Sequence, residues 1–332
     1  MRALPEGLGA DAVAAALRDG WGFDVGLAEY AAVGAGSYHW VVADTGGRRR
    51  FVTADDLAQK AWLGDTPDAA FDGLRCAFDT AVALRDGGLE FVVAPLPASR
   101  GESLRRIDAR YTIALFPLVE GEAGEFGYFE NDGEALREVV ALLAALHEAE
   151  PGASVRTAGL ELPGRGHLEA ALAELDVPWT GGPLAEPARA AVRRSASELA
   201  ELLALADELA AAARRDGGDW VVTHGEPHAG NVMRTGGGRR LVDWDTVALA
   251  PRERDLWLLV AGGGRAVVDD YERLTGVRPS DAGLDYFRLM WELKDLAEYL
   301  NVLRAPHRED ADTTRQLGAL LKIGALHAEW IG

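Results

Sequence analysis

Cysteine is almost missing from this chain: Cys76 is the only one in 332 residues. That excludes an internal disulfide framework and a cysteine zinc site, and it fits a reducing compartment. Positive charge is scarce as well. Lysine and arginine number 34 against 53 acids, a net charge of −19, and only Lys60, Lys294 and Lys322 are lysines. A chain this acidic is a poor general ligand for phosphate backbones, which counts against bulk-charge binding to nucleic acid and favours a cationic small molecule or partner. Long apolar runs are absent, since no stretch approaches the ~18 residues of a membrane span. Pro5, Glu6 and Asp11 stand where a signal peptide needs an apolar core, so a cytoplasmic protein is expected.

What remains has the composition of a globular protein, 48% apolar and 26% charged. At roughly 150 residues per domain the length suggests two domains. Residues 25–33 and 38–44 are apolar-rich and flank Gly34-Ala35-Gly36-Ser37, a hairpin signal, and Arg48 to Ala54 reads as a third strand. Phe71, Leu74, Phe78, Val82 and Leu84 give Ala69 to Leu84 a helical period that Gly87-Gly88 ends. Phe91 to Ala94 and Tyr111 to Leu115 read as two more strands. From residue 133 the period is helical: a helix carrying Leu143 to His147, a long helix over Ala188 to Arg215, and further helices over 284–304 and 313–331. Only Trp220 to Val222 and a segment ending at Leu241-Val242 interrupt it as strands. The expected fold class is α+β, with a strand-rich lobe over 1–117 and a helical lobe over 118–332. The seam lies near Phe116 to Gly121.

The chemistry concentrates in 220–257. His224, Glu226, His228, Asn231, Asp243 and Asp245 fall in two loops that follow apolar strands. A loop carboxylate can take a proton from a hydroxyl. A carboxamide five residues on can hold a hard cation, and a carboxylate twelve residues later, across a hairpin, can complete its shell. Magnesium suits such a site, because it uses one or two carboxylates together with substrate phosphates. Phosphoryl transfer from a nucleotide needs this ensemble.

At these residues the chain resembles the aminoglycoside phosphotransferase family, a branch of the protein-kinase-like fold. The family's catalytic loop H-G-D-x-x-x-x-N stands here as His224-Gly225-Glu226-Pro227-His228-Ala229-Gly230-Asn231, its metal segment as Val242-Asp243-Trp244-Asp245, and its R-D-L as Arg254-Asp255-Leu256. The resemblance covers most of the chain and implies a two-lobed kinase-like fold. It puts Glu226 in the slot of the catalytic base, Asn231 and Asp243 in those of the metal ligands, and His224 as the brace of the loop. Asp245 would support the metal loop and touch substrate. Gly34, Gly36 and Ser37 would lie over the nucleotide phosphates, and Phe116 to Val119, with Leu118 among them, would meet the adenine edge through backbone groups. Asp255 would be structural.

The chain departs from the family pattern at two places. Glu226 replaces the usual aspartate, and its extra methylene is a displacement of about 1 Å, an amount that can cost roughly 10²-fold in rate. Thr53 occupies the place of the phosphate-anchoring strand lysine, which leaves Arg48, Arg49, Arg50 and Lys60 as candidate replacements.

Plainer readings stand beside these. Pro227 and the flanking glycines break any helical zinc pair of His224 and His228. Gly34-Ala35-Gly36 alone is an ordinary turn. Gly236 to Gly238 and Gly262 to Gly264 lack the lysine and serine of a P-loop. His147 is a core or helix-end histidine, and Cys76 a small buried hydrophobe. Glu292, Asp295 and Glu298 share a helical face beside Trp291. That face is either solvated or the acidic wall of an acceptor site.

The resemblance thus implies a phosphotransferase that uses ATP, with GTP as the alternative donor, and Mg2+. Its acceptor would be a hydroxyl of a small, cationic or sugar-bearing antibiotic, and the result resistance. The rival readings are a choline-, homoserine- or sugar-type metabolite kinase and a nucleotide-binding pseudokinase. No membrane or nucleic-acid partner is expected. The sequence is silent on oligomeric state.

Overall fold

The computed structural model describes residues 4–34, 36–129, 133–152 and 155–331. Helix α1 (Ala10–Trp21) comes first. The sheet strands follow as β1 (Val25–Ala31), β2 (Tyr38–Asp44) and β3 (Arg49–Asp56). Helix α2 (Pro67–Asp86) separates these from β4 (Arg105–Arg106) and β5 (Tyr111–Pro117). The five strands form one antiparallel sheet in the order β1-β2-β3-β5-β4. Alternation decides which side chains go inward: Tyr38, Trp40 and Val42 of β2 are buried and their neighbours only partly so. Val13 and Leu17 of α1 pack with Trp40, Val52, Ile113 and Leu115. Leu74 and Phe78 of α2 form a second cluster with Leu57, Leu104 and Ala114. Strand β5 is covered on both faces, so Tyr111 to Leu115 are all buried without alternation.

Strand β6 (Glu122–Ala123), helix α3 (Gly133–His147), α4 (Arg165–Ala173), α5 (Ala185–Arg194) and α6 (Ala196–Asp216) come next. They are followed by β7 (Val221–Thr223), β8 (Val232–Thr235), β9 (Gly238–Leu241) and β10 (Ala248–Ala250). The chain finishes with α7 (Glu253–Gly263), α8 (Arg265–Thr275), α9 (Asp281–Arg304), α10 (Ala311–Leu320) and α11 (Ile323–Trp330). Strands β7 and β10 pair antiparallel, as do β6 with β8 and β8 with β9. Two compact units result. One comprises residues 1–158 and 219–278, and the other 159–218 and 279–332. The expected seam at Phe116 to Gly121 falls inside the first unit. The second unit is helical, with a core of Leu168, Trp179, Leu199, Leu202, Leu293 and Leu300 among others. No described helix is long and apolar enough to cross a membrane.

The α+β architecture is as expected, and several elements differ in detail. Phe91 to Ala94 is not a sheet strand. Val93 N–H donates to the Leu241 carbonyl at 3.0 Å and Leu241 N–H to Phe91 at 2.8 Å, with one bridge from Val92 to Leu241. The run is apolar because it is buried, not because it joins a ladder. The long helix expected over Ala188 to Arg215 breaks at Ser195 (φ −119°, ψ 31°), and 313–331 also divides in two. Helix α1 has no counterpart in the sequence reading, because alanines mask its two inward apolar positions, Val13 and Leu17. Cys76 is half-buried rather than buried. Ala35, in the expected hairpin turn, lies outside the described residues.

Gly73 sits inside α2, and a Cβ built there would lie 2.4 Å from the Leu63 carbonyl oxygen. Gly73→Ala should therefore lower the melting temperature, the overpacking cost of about 1–3 kcal/mol outweighing the helix-propensity gain of up to ~1 kcal/mol. Gly318 in α10 has open space at its Cβ position. Gly318→Ala should raise the melting temperature in the same thermal scan. Equal shifts for the two variants would contradict this packing of α2.

Candidate functional site

Strand β7 delivers the chain to His224, and the loop that follows is held by a residue from the first turn of α7. One carboxylate oxygen of Asp255 accepts the His224 N–H at 2.8 Å and the other accepts the Gly225 N–H at 2.6 Å. His147, the last residue of α3, reaches the same carboxylate through Nε2 at 3.2 Å, and its Nδ1 meets the Tyr271 hydroxyl at 2.8 Å. Arg252 donates to that hydroxyl at 3.2 Å. Asp255 is fully buried. Burial works to raise its pKa, but the hydrogen bond from His147 and the electrostatic pull of His147, Arg254 and His224 prevail and lower it. The carboxylate therefore stays charged and keeps both amides.

Gly225 is required twice over. Its φ is +100°, and a Cβ would lie 2.4 Å from Arg254 Nη2. That guanidinium fills the space in order to donate to Thr223 Oγ1 at 2.8 Å and to the Thr246 carbonyl at 2.9 Å. His224 is the brace of the loop. Its Nε2 faces the Val242 carbonyl at 2.9 Å and its Nδ1 accepts the Glu226 N–H at 3.3 Å, a pairing that assigns the Nε2–H tautomer. Burial lowers the pKa of this ring, against the pull of Asp255, so it remains neutral.

The Glu226 backbone is gripped from its other side as well. Asn231 closes a short 3-10 turn, and its Nδ2 donates to the Glu226 carbonyl at 2.9 Å. The Asn231 carbonyl accepts the Val242 N–H at 3.0 Å, which brings the His224–Asn231 loop against the Val242-Asp243 segment. Asp243 has φ +66°, the single non-glycine residue with positive φ among the described residues. Such backbone costs on the order of 1–3 kcal/mol and is typical of functional loops. The Asp243 side chain opens to solvent, although the protein is dense around it. Crowding, then the charges of Asp245, Glu226 and Asp55, raise its pKa against Lys60. Because water reaches the group, the neighbouring carboxylates are the firmer cause.

Of the four candidate replacement cations, Lys60 alone reaches this centre. Arg48 pairs with Asp44 at 3.1 Å on the surface, Arg50 donates to the carbonyl of Arg49, and Arg49 is exposed. Lys60 is buried, with Nζ 2.9 Å from Asp55, 2.8 Å from Asp245 and 3.1 Å from the Ser37 hydroxyl. Burial works against its charge, but Asp245, Asp55 and Asp243 overcome it and raise the pKa. The Ser37 hydroxyl donates to Asp55 at 2.6 Å, so its proton faces inward and not towards a nucleotide. Gly34 and Gly36 both adopt positive φ beside it. At the far end of the sheet Phe116 meets Phe78 edge-on at 5.5 Å, and Leu118 follows β5, half-buried.

Asp55 and Asp245 thus hold one ammonium, Asp243 lies within its electrostatic reach, and Glu226 in turn lies within reach of Asp243. The donors are all hard oxygens, together with the Asn231 carboxamide, and one buried oxygen of Asp55 has no partner among the described residues. That set fits magnesium. No three acidic or histidine side chains among the described residues converge to hold a metal unaided, which suits a cation shared with phosphate oxygens.

Asp55 and Tyr271 lie in no spacing pattern and were not legible as site residues, whereas His147 is the buried helix-end histidine that was expected. His228 is buried with an unpartnered Nδ1 and packs edge-on against Phe126 at 4.6 Å. Burial first, then His224, lowers its pKa to about 4. Trp291, Glu292, Asp295 and Glu298 lie on α9, in the second compact unit. Burial and the charges of Glu292 and Glu298 push Asp295 up to about 6, against Lys294, and Lys294 lies over the Trp291 ring at 5.1 Å.

A profile of the phosphotransferase enzyme family (APH) matches residues 29–287. The chain is similar to Protein StrN of Streptomyces griseus, 32% identical over 255 residues that make up 74% of each chain. Among solved structures it is similar to a spectinomycin phosphotransferase in complex with ADP and spectinomycin. The TM-score is 0.72 at 16% identity, covering 98% of this chain and 100% of the other. It is also similar to a macrolide 2'-phosphotransferase from Brachybacterium faecium, with a TM-score of 0.52 at 18% identity, covering 95% and 98%.

The buried Asp255 clamp has a pH signature. Its folded-state pKa lies below the ordinary aspartate value of 3.8, so its stabilisation is present above that value and is lost as pH falls through the folded one. Asp255→Asn should lower the melting temperature at neutral pH, and the gap from wild type should narrow below 3.8. Asp255→Ala should cost about 3–5 kcal/mol. A gap that is constant with pH in thermal denaturation would show that the charge contributes nothing.

Proposed function

The chain belongs to the phosphotransferase enzyme family, as a kinase-type phosphotransferase acting on hydroxyl groups of small molecules, and on that premise we propose the following reaction. The γ-phosphoryl group of ATP, with magnesium, passes to a hydroxyl of a cationic or sugar-bearing antibiotic, and the modified drug is inactive. One observation carries this reading: Glu226, Asn231 and Asp243 meet on two loops whose backbones are locked to each other and to Asp255.

In that reaction the acceptor oxygen bonds to the γ-phosphorus, the bond to the ADP oxygen breaks, and the hydroxyl proton passes to Glu226. The His224 and Asn231 bonds on either side of Glu226 fix the point from which its side chain departs, which supports the longer side chain reaching the position of the usual aspartate. Magnesium, held by Asn231 and Asp243, would neutralise the phosphate oxygens. The positive-φ glycines Gly34 and Gly36 and the backbone of Ser37 would cover the phosphates, and Phe116 to Leu118 would receive the base. Functionally we divide the chain into a nucleotide lobe over 1–117 and an acceptor and catalytic lobe over 118–332. The acidic face of α9, with Trp291, Glu292, Asp295 and Glu298, would recruit a cationic acceptor. Asp245 would support the metal loop. We also propose a cytoplasmic location.

Incubation with magnesium and ATP across antibiotic classes should give one acceptor class a mass gain of one phosphate. Phosphorylation of choline, homoserine or a free sugar instead would replace the antibiotic reading with a metabolite kinase. Glu226→Gln should lower kcat by ~10² to 10⁴-fold with nucleotide affinity largely intact, and Glu226→Asp should retain more activity than the glutamine variant. Wild-type rates in both would remove Glu226 from proton transfer. Asp243→Ala should abolish magnesium-dependent turnover, a loss on the order of several kcal/mol in transition-state stabilisation. Near-normal turnover would put the metal elsewhere.

A further inference from the structure

We propose that Lys60 is a positioning residue: its ammonium ties the end of β3 to the Asp243–Asp245 loop and thereby sets how well that loop takes magnesium, without gripping the nucleotide phosphates itself. The proposal rests on the magnesium-dependent reaction proposed above.

The argument is one of donor capacity. An ammonium has three N–H donors and no acceptor. Lys60 Nζ already has three oxygen partners, Asp55 at 2.9 Å, Asp245 at 2.8 Å and the Ser37 hydroxyl at 3.1 Å. A phosphate oxygen could be met only by giving up one of them, and each is itself buried. Breaking a buried ion pair leaves an uncompensated charge, which is strongly unfavourable. The ammonium also lies over the Trp62 ring at 5.0 Å, which closes another side.

The local chain explains how a lysine past the strand arrives there. Asp56 caps the short 3-10 turn Leu57–Gln59 by accepting the Ala58 N–H at 3.1 Å. Lys60 ends that turn, its N–H donating to the Leu57 carbonyl at 3.3 Å. The turn brings the side chain back to Asp55, on the strand it has just left. At the strand position of the family lysine, Thr53 instead contacts His39 Nδ1 at 3.3 Å.

Asp245 stands two residues after Asp243, whose backbone is held at φ +66°. Fixing Asp245 fixes the far side of that strained residue, and with it the direction of the Asp243 carboxylate. Partners that orient a metal ligand in this way typically govern 10–100-fold of metal affinity.

The test is ADP binding to the full chain by calorimetry, in EDTA and over a magnesium titration, with thermal melting run alongside. Wild type should bind ADP more tightly as magnesium is added. Lys60→Met should leave the metal-free ADP Kd within about threefold and raise the magnesium half-saturation by at least about tenfold. Lys60→Arg, which keeps charge and donors, should recover part of that loss. If Lys60→Met does not fold, Asp245→Asn reads the same coupling with the lysine in place and should show the same metal-specific defect. A variant that weakens ADP equally with and without magnesium would make Lys60 a phosphate anchor and overturn the proposal. An unchanged magnesium half-saturation in both Lys60→Met and Asp245→Asn would overturn it too. A wild-type chain whose ADP affinity ignores magnesium would overturn the functional reading, and this proposal with it.

Discussion

A buried carboxylate that accepts two consecutive backbone amides is the constraint on which the site depends. Asp255 spends one oxygen on His224 N–H and the other on Gly225 N–H, and His147, backed by Tyr271 and Arg252, supports it from behind. Every member of this chain is buried, where an unmatched polar group would be costly, so the arrangement is held as a unit. From the clamped pair of residues the order spreads outward. His224 orients Glu226 and reaches Val242, Asn231 holds the Glu226 carbonyl, and Val242 hands on to Asp243. Helices α3, α7 and α8 thus act on chemistry that none of them carries.

The second constraint is charge. Burial first, then the charges of Asp245, Glu226 and Asp55, raise the pKa of Asp243 against the pull of Lys60. The chain accepts this frustration where a divalent cation and phosphates would balance it, and Asp243 accepts a strained backbone at the same point. Net charge alone said nothing about this. Exposed pairs such as Arg18 with Asp24 and Arg75 with Asp72 cancel in that sum and contribute little to stability.

The two compact units are built differently. The first holds the sheet, the His224–Asn231 loop and the Asp243 loop, and its cores are mixed aromatic and aliphatic. The second is a helical body of leucine and alanine, with the acids of α9 on it. Similar folds accompany different acceptors in the spectinomycin and macrolide phosphotransferases, at identities of 16% and 18%. Fold alone therefore does not name an acceptor.

Local order was legible in the sequence by itself. Period and turn chemistry placed β1, β2, β3, α2 and α9 within a few residues, because each forms from contacts between near neighbours in the chain. The spacing of Glu226, Asn231 and Asp243 was legible for the same reason, since a short loop and a hairpin leave few ways to arrange them. Long-range partners were not legible. Phe91 to Ala94 looked like a strand because buried apolar runs look alike whether or not they pair, and Ser195 breaks a helix that composition alone would continue. Lys60 was one of four candidate cations on paper, and only the turn at Leu57–Gln59 and the Asp245 carboxylate, 185 residues away in sequence, single it out. Asp55 and Tyr271 carried no sequence signal at all. Their roles come from meeting partners distant in the chain, and such meetings are decided by how the whole core packs, which no local period encodes.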